Sequence, residues 1–285
     1  MKLLLLSNSS IHGEGYLDWA ESEIRPFFSG VQRVVFIPWA LDDLDAYART
    51  ARERFEKMGI PLTSIHETSD PRAAAGEADG FFVGGGNTFR LLTKLYVTGT
   101  LEVIARRVRE GSARYMGSSA GTNMACPTIK TTNDMPIVYP PSFDALGLIP
   151  FQINPHYLDP DPGSTHMGET REKRINEYHE MNDTPVLGLR EGALIRVNDE
   201  EMRLWGRKGA RLFRKGETAV ELEAGDVIPN GVRDQGGWGV RKRGDLVGGG
   251  CGFVLLDPDE LTSRADRVDA SLGFPAPPDP SLRSG

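Results

Sequence analysis

Gly117-Ser118-Ser119-Ala120-Gly121 has the residue types and spacing of a nucleophile elbow, where a strand turns sharply into a helix with a serine at the apex. A hydroxyl held there attacks carbonyl carbon. Glycines two residues to either side have a physical reason: the serine backbone is strained, and flanking side chains would collide. That spacing selects Ser119 over Ser118. The backbone N–H of Ala120 would then face an oxyanion. A plain strand-to-helix turn of small residues fits the same stretch, so its context must decide.

A serine nucleophile needs a base, and the five histidines are His12, His66, His156, His166 and His179. His179 falls inside a helical pattern and reads as a surface residue. His12 and His66 follow strands and His166 lies in a polar loop, so all three stay open. His156 is preferred because Pro155 fixes the chain directly after a long apolar strand, which suits a rigid base; a structural histidine is the competing reading. Glu191, in Gly188-Leu189-Arg190-Glu191-Gly192, stands at a strand end. It would orient the imidazole of a triad or, more plainly, pair with Arg190 or Arg196 on the surface. Gly84-Gly85-Gly86 closes a buried strand and enters a helix at Asn87 or Thr88, presenting bare N–H groups. Those amides would cradle a phosphate or supply a second oxyanion donor. The phosphate reading is the weaker, because neither a G-x-x-x-x-G-K-[ST] lysine nor a G-x-G-x-x-G after the first strand is present.

These groups sit where short apolar runs end. The runs are 2–6, 34–38, 64–66, 80–83, 114–117, 147–154 and 186–189, and they alternate with helical spacing over 17–28, 42–58, 88–95, 101–110 and 170–181. Alternation of this kind predicts an α/β fold with a doubly wound, mostly parallel sheet and helices on both faces. Ligands of such sheets bind beyond the carboxyl ends of the strands. From 194 to 222 four runs separated by tight turns predict antiparallel edge strands. After 229 the composition turns to glycine and proline, so the expected organisation is a catalytic domain over 1–228 and a flexible extension over 229–285, with one short strand at 254–256.

The chain of 285 residues carries 33 basic and 40 acidic side chains, a net charge of −7 with no block of either sign. That balance argues against a nucleic-acid or anionic-membrane surface and for a small-molecule partner. The apolar run at 3–6 stops at Ser7-Asn8-Ser9-Ser10, too short for an export leader, and no stretch approaches the ~20 apolar residues of a membrane span. A cytoplasmic location is expected. Cys126 and Cys251 are far apart without a C-x-x-C pair, and no H-E-x-x-H occurs, so no disulfide, metal or cofactor is expected.

Several motifs in order carry a family resemblance. Val83-Gly84-Gly85-Gly86-Asn87-Thr88-Phe89, the Ser119 elbow with Asn123, the run from Cys126 to Val138, Ile153-Asn154-Pro155-His156 and Gly168-Glu169-Thr170-Arg171 together resemble peptidase E, the cytoplasmic α-aspartyl dipeptidases. The resemblance runs from Met1 to about Gly225. It implies a serine peptidase on a fold similar to class I glutamine amidotransferases, acting on small peptides with an N-terminal aspartyl residue. Carried over by position, it implies Ser119 as nucleophile, His156 as base, Glu191 as orienting acid, and Gly86 and Ala120 as oxyanion donors. Arg171 offers a cation to the aspartyl carboxylate, its competing reading being a pair with Glu169 or Glu172. Asn87 is a secondary substrate contact, and Asp134 a candidate for the substrate amine. Two departures stand out: Ser118, where the family often has an aromatic residue, and the extension after about 229. Competing functions are another serine hydrolase on this scaffold, cutting β-linked aspartyl polymers or esters, and a non-catalytic binding relative.

Overall fold

The structure, a computed structural model, describes residues 1–160, 163, 168–199 and 201–228. In chain order the elements are β1 (Lys2–Leu6), α1 (Glu21–Phe27), β2 (Val34–Ile37), α2 (Leu44–Lys57), β3 (Leu62–Ser64), α3 (Pro71–Glu77), β4 (Gly80–Val83), α4 (Thr88–Val97), α5 (Thr100–Arg109), β5 (Arg114–Ser118) and α6 (Ala120–Ala125). They continue with β6 (Gln152–Tyr157), α7 (Arg171–Met181), β7 (Val186–Arg190), β8 (Ala193–Asn198), β9 (Glu201–Gly206), β10 (Ala210–Phe213), β11 (Val220–Leu222) and β12 (Val227–Ile228). The extension expected over 229–285, including its strand at 254–256, lies outside the described residues.

The large sheet has the order β12-β9-β8-β1-β5-β4-β2-β3. Its five strands from β1 to β3 are parallel, and β8, β9 and β12 add antiparallel pairs on the β1 side. Both faces are covered, which is why β1 is apolar from Leu3 to Leu6 instead of alternating. Leu3 and Leu5 enter one core with α4, α5 and α6, whereas Leu4 and Leu6 enter the other with α1 and α2. Each of these four leucines is fully buried, worth about 1.5–3 kcal/mol relative to exposure. Helix starts are fixed by side-chain caps: Asp43 accepts from Ala46 N, Asn87 from Arg90 N and Thr170 from Lys173 N.

Three expectations are corrected. A single sheet was expected, yet β6 and β7 leave it and form a second, four-stranded sheet of order β11-β10-β7-β6. β6 and β7 remain parallel, and β10 and β11 pair antiparallel onto β7. Ile153, Leu187, Leu189 and Leu212 of this sheet bury into the same core as one face of the large sheet. The strand expected at 147–154 begins only at Gln152 and runs on through His156. Of the run at 64–66, only Ser64 belongs to β3, which starts earlier at Leu62, and Ile65–Glu67 form a 3₁₀ turn. One short helix, α3, was not anticipated: Pro71 at its first turn and the Asp70 cap on Ala73 N start it. Among the described residues, no helix is long and apolar enough to cross a membrane.

Candidate active site

Ser119 occupies the one residue between β5 and α6, with φ 53° and ψ −110°. This left-handed backbone is costly for a residue with a Cβ and is held by its surroundings. The two flanking glycines allow it. A Cβ on Gly117 would sit 2.4 Å from the Gly121 carbonyl oxygen, and one on Gly121 would sit 2.1 Å from that of Val83. Ser118 is fully buried, and its Oγ has no hydrogen-bond partner among the described residues, so only the Ser119 hydroxyl faces the cleft.

The Ser119 Oγ lies 2.9 Å from His156 Nε2, and His156 Nδ1 lies 2.6 Å from Glu191 Oε1. A carboxylate only accepts, so the Nδ1 proton belongs to that bond and Nε2 is left to accept from the serine. His156 does not follow a strand, as expected, but sits inside β6 at a register shift between Pro155 and Tyr157, with φ 52°. The bulge turns its ring out of the sheet toward Ser119. Arg190 and Arg196, the alternative partners of Glu191, are engaged elsewhere. Arg190 pairs with Asp159 and Glu221, and Arg196 with Glu23. The His156–Glu191 pair is half-exposed, so its value is orientation of the ring more than stability.

The remaining histidines are placed apart. His66 bonds to Ser64 and Asp45, and His12 is exposed. His179, expected on the surface, is buried and bonds to the Thr184 carbonyl, and that burial pushes its pKa down. His166 lies outside the described residues.

The glycine turn after β4 has four successive amides. The Gly84 N–H donates to Ile37 O and that of Asn87 to Ala40 O, at 3.2 and 2.8 Å. The Gly85 N–H faces the Tyr47 hydroxyl oxygen. Gly86, at φ 130°, is left without an acceptor among the described residues, as is Ala120 at the start of α6. A Cβ on Gly85 would lie 3.0 Å from the Ser119 Cβ, so this turn passes directly over Ser119. Two free N–H groups beside a serine can hold an oxyanion.

A cleft of about 550 Å³ includes Ser119, His156, Gly85, Gly86 and Asp134, walled on another side by Tyr16, Leu41 and Tyr47. The apolar wall escaped the sequence reading, because its residues belong to unrelated loops and to a helix face. Asp134 Oδ2 accepts from the Thr88 N–H and hydroxyl, at 2.7 and 2.5 Å, leaving its other oxygen to the cleft. Asn87 is engaged at both ends of its amide, capping α4 and donating to Met135 O. Arg171 opens α7, half-buried and without an ion pair among the described residues. The carboxylates expected to compete for it are taken: Glu169 pairs with Lys173 and Arg174, and Glu172 with Arg211. Burial and the Arg174 charge push the pKa of Arg171 down, and the Asp134 carboxylate pushes it back up. Arg171 therefore has no ion-pair partner of its own among the described residues, and it lies within electrostatic reach of Asp134, a cleft residue.

Cys126 ends α6, where its Sγ accepts from Ile153 N of β6 at 3.2 Å. Complete burial pushes its thiol up to about 12, so it stays protonated and unreactive at neutral pH. Native protein treated with iodoacetamide should remain unmodified at Cys126 by peptide mass mapping, and denatured protein should be fully modified. Among the described residues, no group of His, Cys, Asp and Glu could hold a metal ion.

A model of peptidase family S51 matches residues 3–205. Peptidase E of Streptomyces coelicolor is 56% identical over 228 residues, covering 80% of this chain and 93% of that protein. A Drosophila melanogaster protein named "Probable alpha-aspartyl dipeptidase" is 48% identical over 222 residues, covering 77% and 92% of the two chains. A crystal structure of a Listeria monocytogenes protein is similar with a TM-score of 0.56 at 25% identity, covering 73% of this chain and 98% of that one.

Proposed function

The chain belongs to peptidase family S51, and we propose that it is a serine dipeptidase that cleaves Asp-Xaa dipeptides through an acyl-enzyme on Ser119. The observation that carries this reading is the unbroken hydrogen-bond chain from the Ser119 hydroxyl through His156 to Glu191. His156 Nε2 takes the hydroxyl proton as Oγ bonds to the scissile carbonyl carbon, and the carbonyl electron pair moves to oxygen. The Gly86 and Ala120 amides hold that oxyanion. Its collapse breaks the C–N bond, and the imidazolium returns its proton to the leaving amine. Water, deprotonated by His156, then releases the aspartyl group and restores Ser119.

Arg171 is assigned to the aspartyl side-chain carboxylate and the free oxygen of Asp134 to the substrate amine; Asn87 serves the site by capping α4. The catalytic unit is placed in residues 1–228 and the protein in the cytoplasm. A panel of Asp-Leu, Asn-Leu and β-linked Asp-Leu, run with wild type and Arg171→Met, tests the reading. Charge-assisted hydrogen bonds contribute about 1.5–3 kcal/mol each, so wild type should prefer Asp-Leu over Asn-Leu by tenfold or more, and Arg171→Met should erase most of that preference. Equal cleavage of the β-linked isomer would replace the reading with a broader aspartyl hydrolase. Unchanged discrimination in the variant would place carboxylate recognition elsewhere.

A further inference from the structure

Beyond its leucines, β1 runs into two polar residues, Ser7 and Asn8, buried at 0% and 1% exposure. Buried polar groups need hydrogen-bond partners, and theirs are specific. The Ser7 hydroxyl accepts from the His156 backbone N–H at 2.9 Å and donates to the Leu189 carbonyl at 2.8 Å. The Ser7 N–H donates to Ala193 O at 3.1 Å. The Asn8 side-chain oxygen accepts from the Gly192 N–H at 2.8 Å, and its amide nitrogen donates to Ser10 O. One residue earlier, the Leu6 carbonyl accepts from the Ser119 N–H at 3.1 Å and from the Thr122 hydroxyl at 2.6 Å.

Three consecutive residues thus hold the serine turn, the histidine bulge and the segment carrying Glu191. This matters because Ser119 follows β5 of the eight-stranded sheet, His156 lies in β6 of the four-stranded one, and Glu191 lies in the two-residue link from β7 of the second sheet to β8 of the first; no strand ladder joins β6 or β7 to β1. The distance between hydroxyl and imidazole is therefore set across a sheet boundary. We propose that Ser7 and Asn8 are positioning residues for the reaction, fixing His156 and Glu191 in register with Ser119. Neither side chain acts on substrate. The bond from Ser7 satisfies the N–H of a residue held at φ 52°, so the bulge that aims the ring relies on it.

The proposal rests on the triad reading above. Ser7→Ala and Asn8→Ala, made in the full chain, are compared with wild type for kcat and KM on Asp-Leu, for melting temperature, and for the rate constant of Ser119 modification by a fluorophosphonate. The rate constants are compared well below each melting temperature, where the folded fraction is close to one and a change in rate reports on the site. Misplacement of a catalytic group by about 1 Å costs on the order of a hundredfold, so Ser7→Ala should lose ten- to a hundredfold in kcat and in the modification rate constant, with KM within about threefold. Asn8→Ala, which frees only the Glu191 segment, should lose less in both, and it decides the matter should Ser7→Ala not fold. A lowered melting temperature with wild-type rate constants in the folded variants would make the pair merely structural and overturn the proposal. Wild-type protein inert on Asp-Leu and unmodified by the reagent would instead remove the triad reading itself.

Discussion

Ser119→Ala should hydrolyse Asp-Leu at less than about one part in 10⁴ of the wild-type kcat while folding normally. Removal of the nucleophile from a serine triad costs on the order of 10⁶ in kcat, and the remaining oxyanion donors and binding contacts leave only a residue of catalysis. The fold should tolerate the change. Alanine meets the same φ of 53° that serine does, so backbone strain is unaltered, and the lost Oγ bond is to a half-exposed imidazole. The melting temperature should therefore stay within a few degrees of wild type. Binding of intact Asp-Leu, measured by calorimetry, should survive, because Arg171 and Asp134, the proposed substrate contacts, are untouched. Turnover within tenfold of wild type would take Ser119 out of the mechanism.

The elbow that holds Ser119 was legible because it is a local structure: Gly117, Ser119 and Gly121 encode it within five residues, and the close approaches of Gly117 to Gly121 O and of Gly121 to Val83 O are the collisions the spacing implies. His156 was legible as a residue but not in its placement. Its bulge exists only because β6 pairs with β7 out of register, and no pattern around Pro155 announces that pairing. The second sheet was hidden for a related reason. Apolar runs at 147–154 and 186–189 look the same whether they join one sheet or start another, since partner choice is made by tertiary packing. Ionic alternatives were equally open in one dimension. Arg190 or Arg196 was as plausible a partner for Glu191 as His156 was, until Asp159, Glu221 and Glu23 are seen to occupy both arginines. The same holds for Arg171, left over once Lys173, Arg174 and Arg211 have taken the nearby glutamates. Tyr47 and Ser7 could not be singled out, because their roles are hydrogen bonds to distant backbone.

Gly86→Ala should cost 10² to 10³ in kcat with KM for Asp-Leu changed no more than about threefold. At φ 130° the Gly86 backbone lies where L side chains rarely go, and the new Cβ would sit 2.5 Å from the Ala40 carbonyl oxygen and 2.7 Å from Leu41 Cδ2. A backbone atom cannot yield cheaply, so the turn must rotate. Its neighbours resist: Gly84 and Asn87 are bonded to Ile37 O and Ala40 O, and Gly85 faces Tyr47, so the movement concentrates on the one amide with no partner. Loss of one oxyanion donor is worth about 2.7–4 kcal/mol, and strain at such a position adds roughly 1–3 kcal/mol of lost stability. Ground-state binding should suffer little, since Arg171, the proposed carboxylate partner, lies outside the turn, and Asp134, the proposed amine partner, is anchored to Thr88 at the start of α4, beyond the peptide that must rotate. Gly76→Ala provides the control: it lies in α3 with open space around the added methyl, and should leave kcat unchanged. Separate determination of kcat and KM decides the case. A loss confined to KM would make the Gly84–Gly86 turn a binding loop, and an unchanged kcat would leave Ala120 as the sole oxyanion donor on this chain.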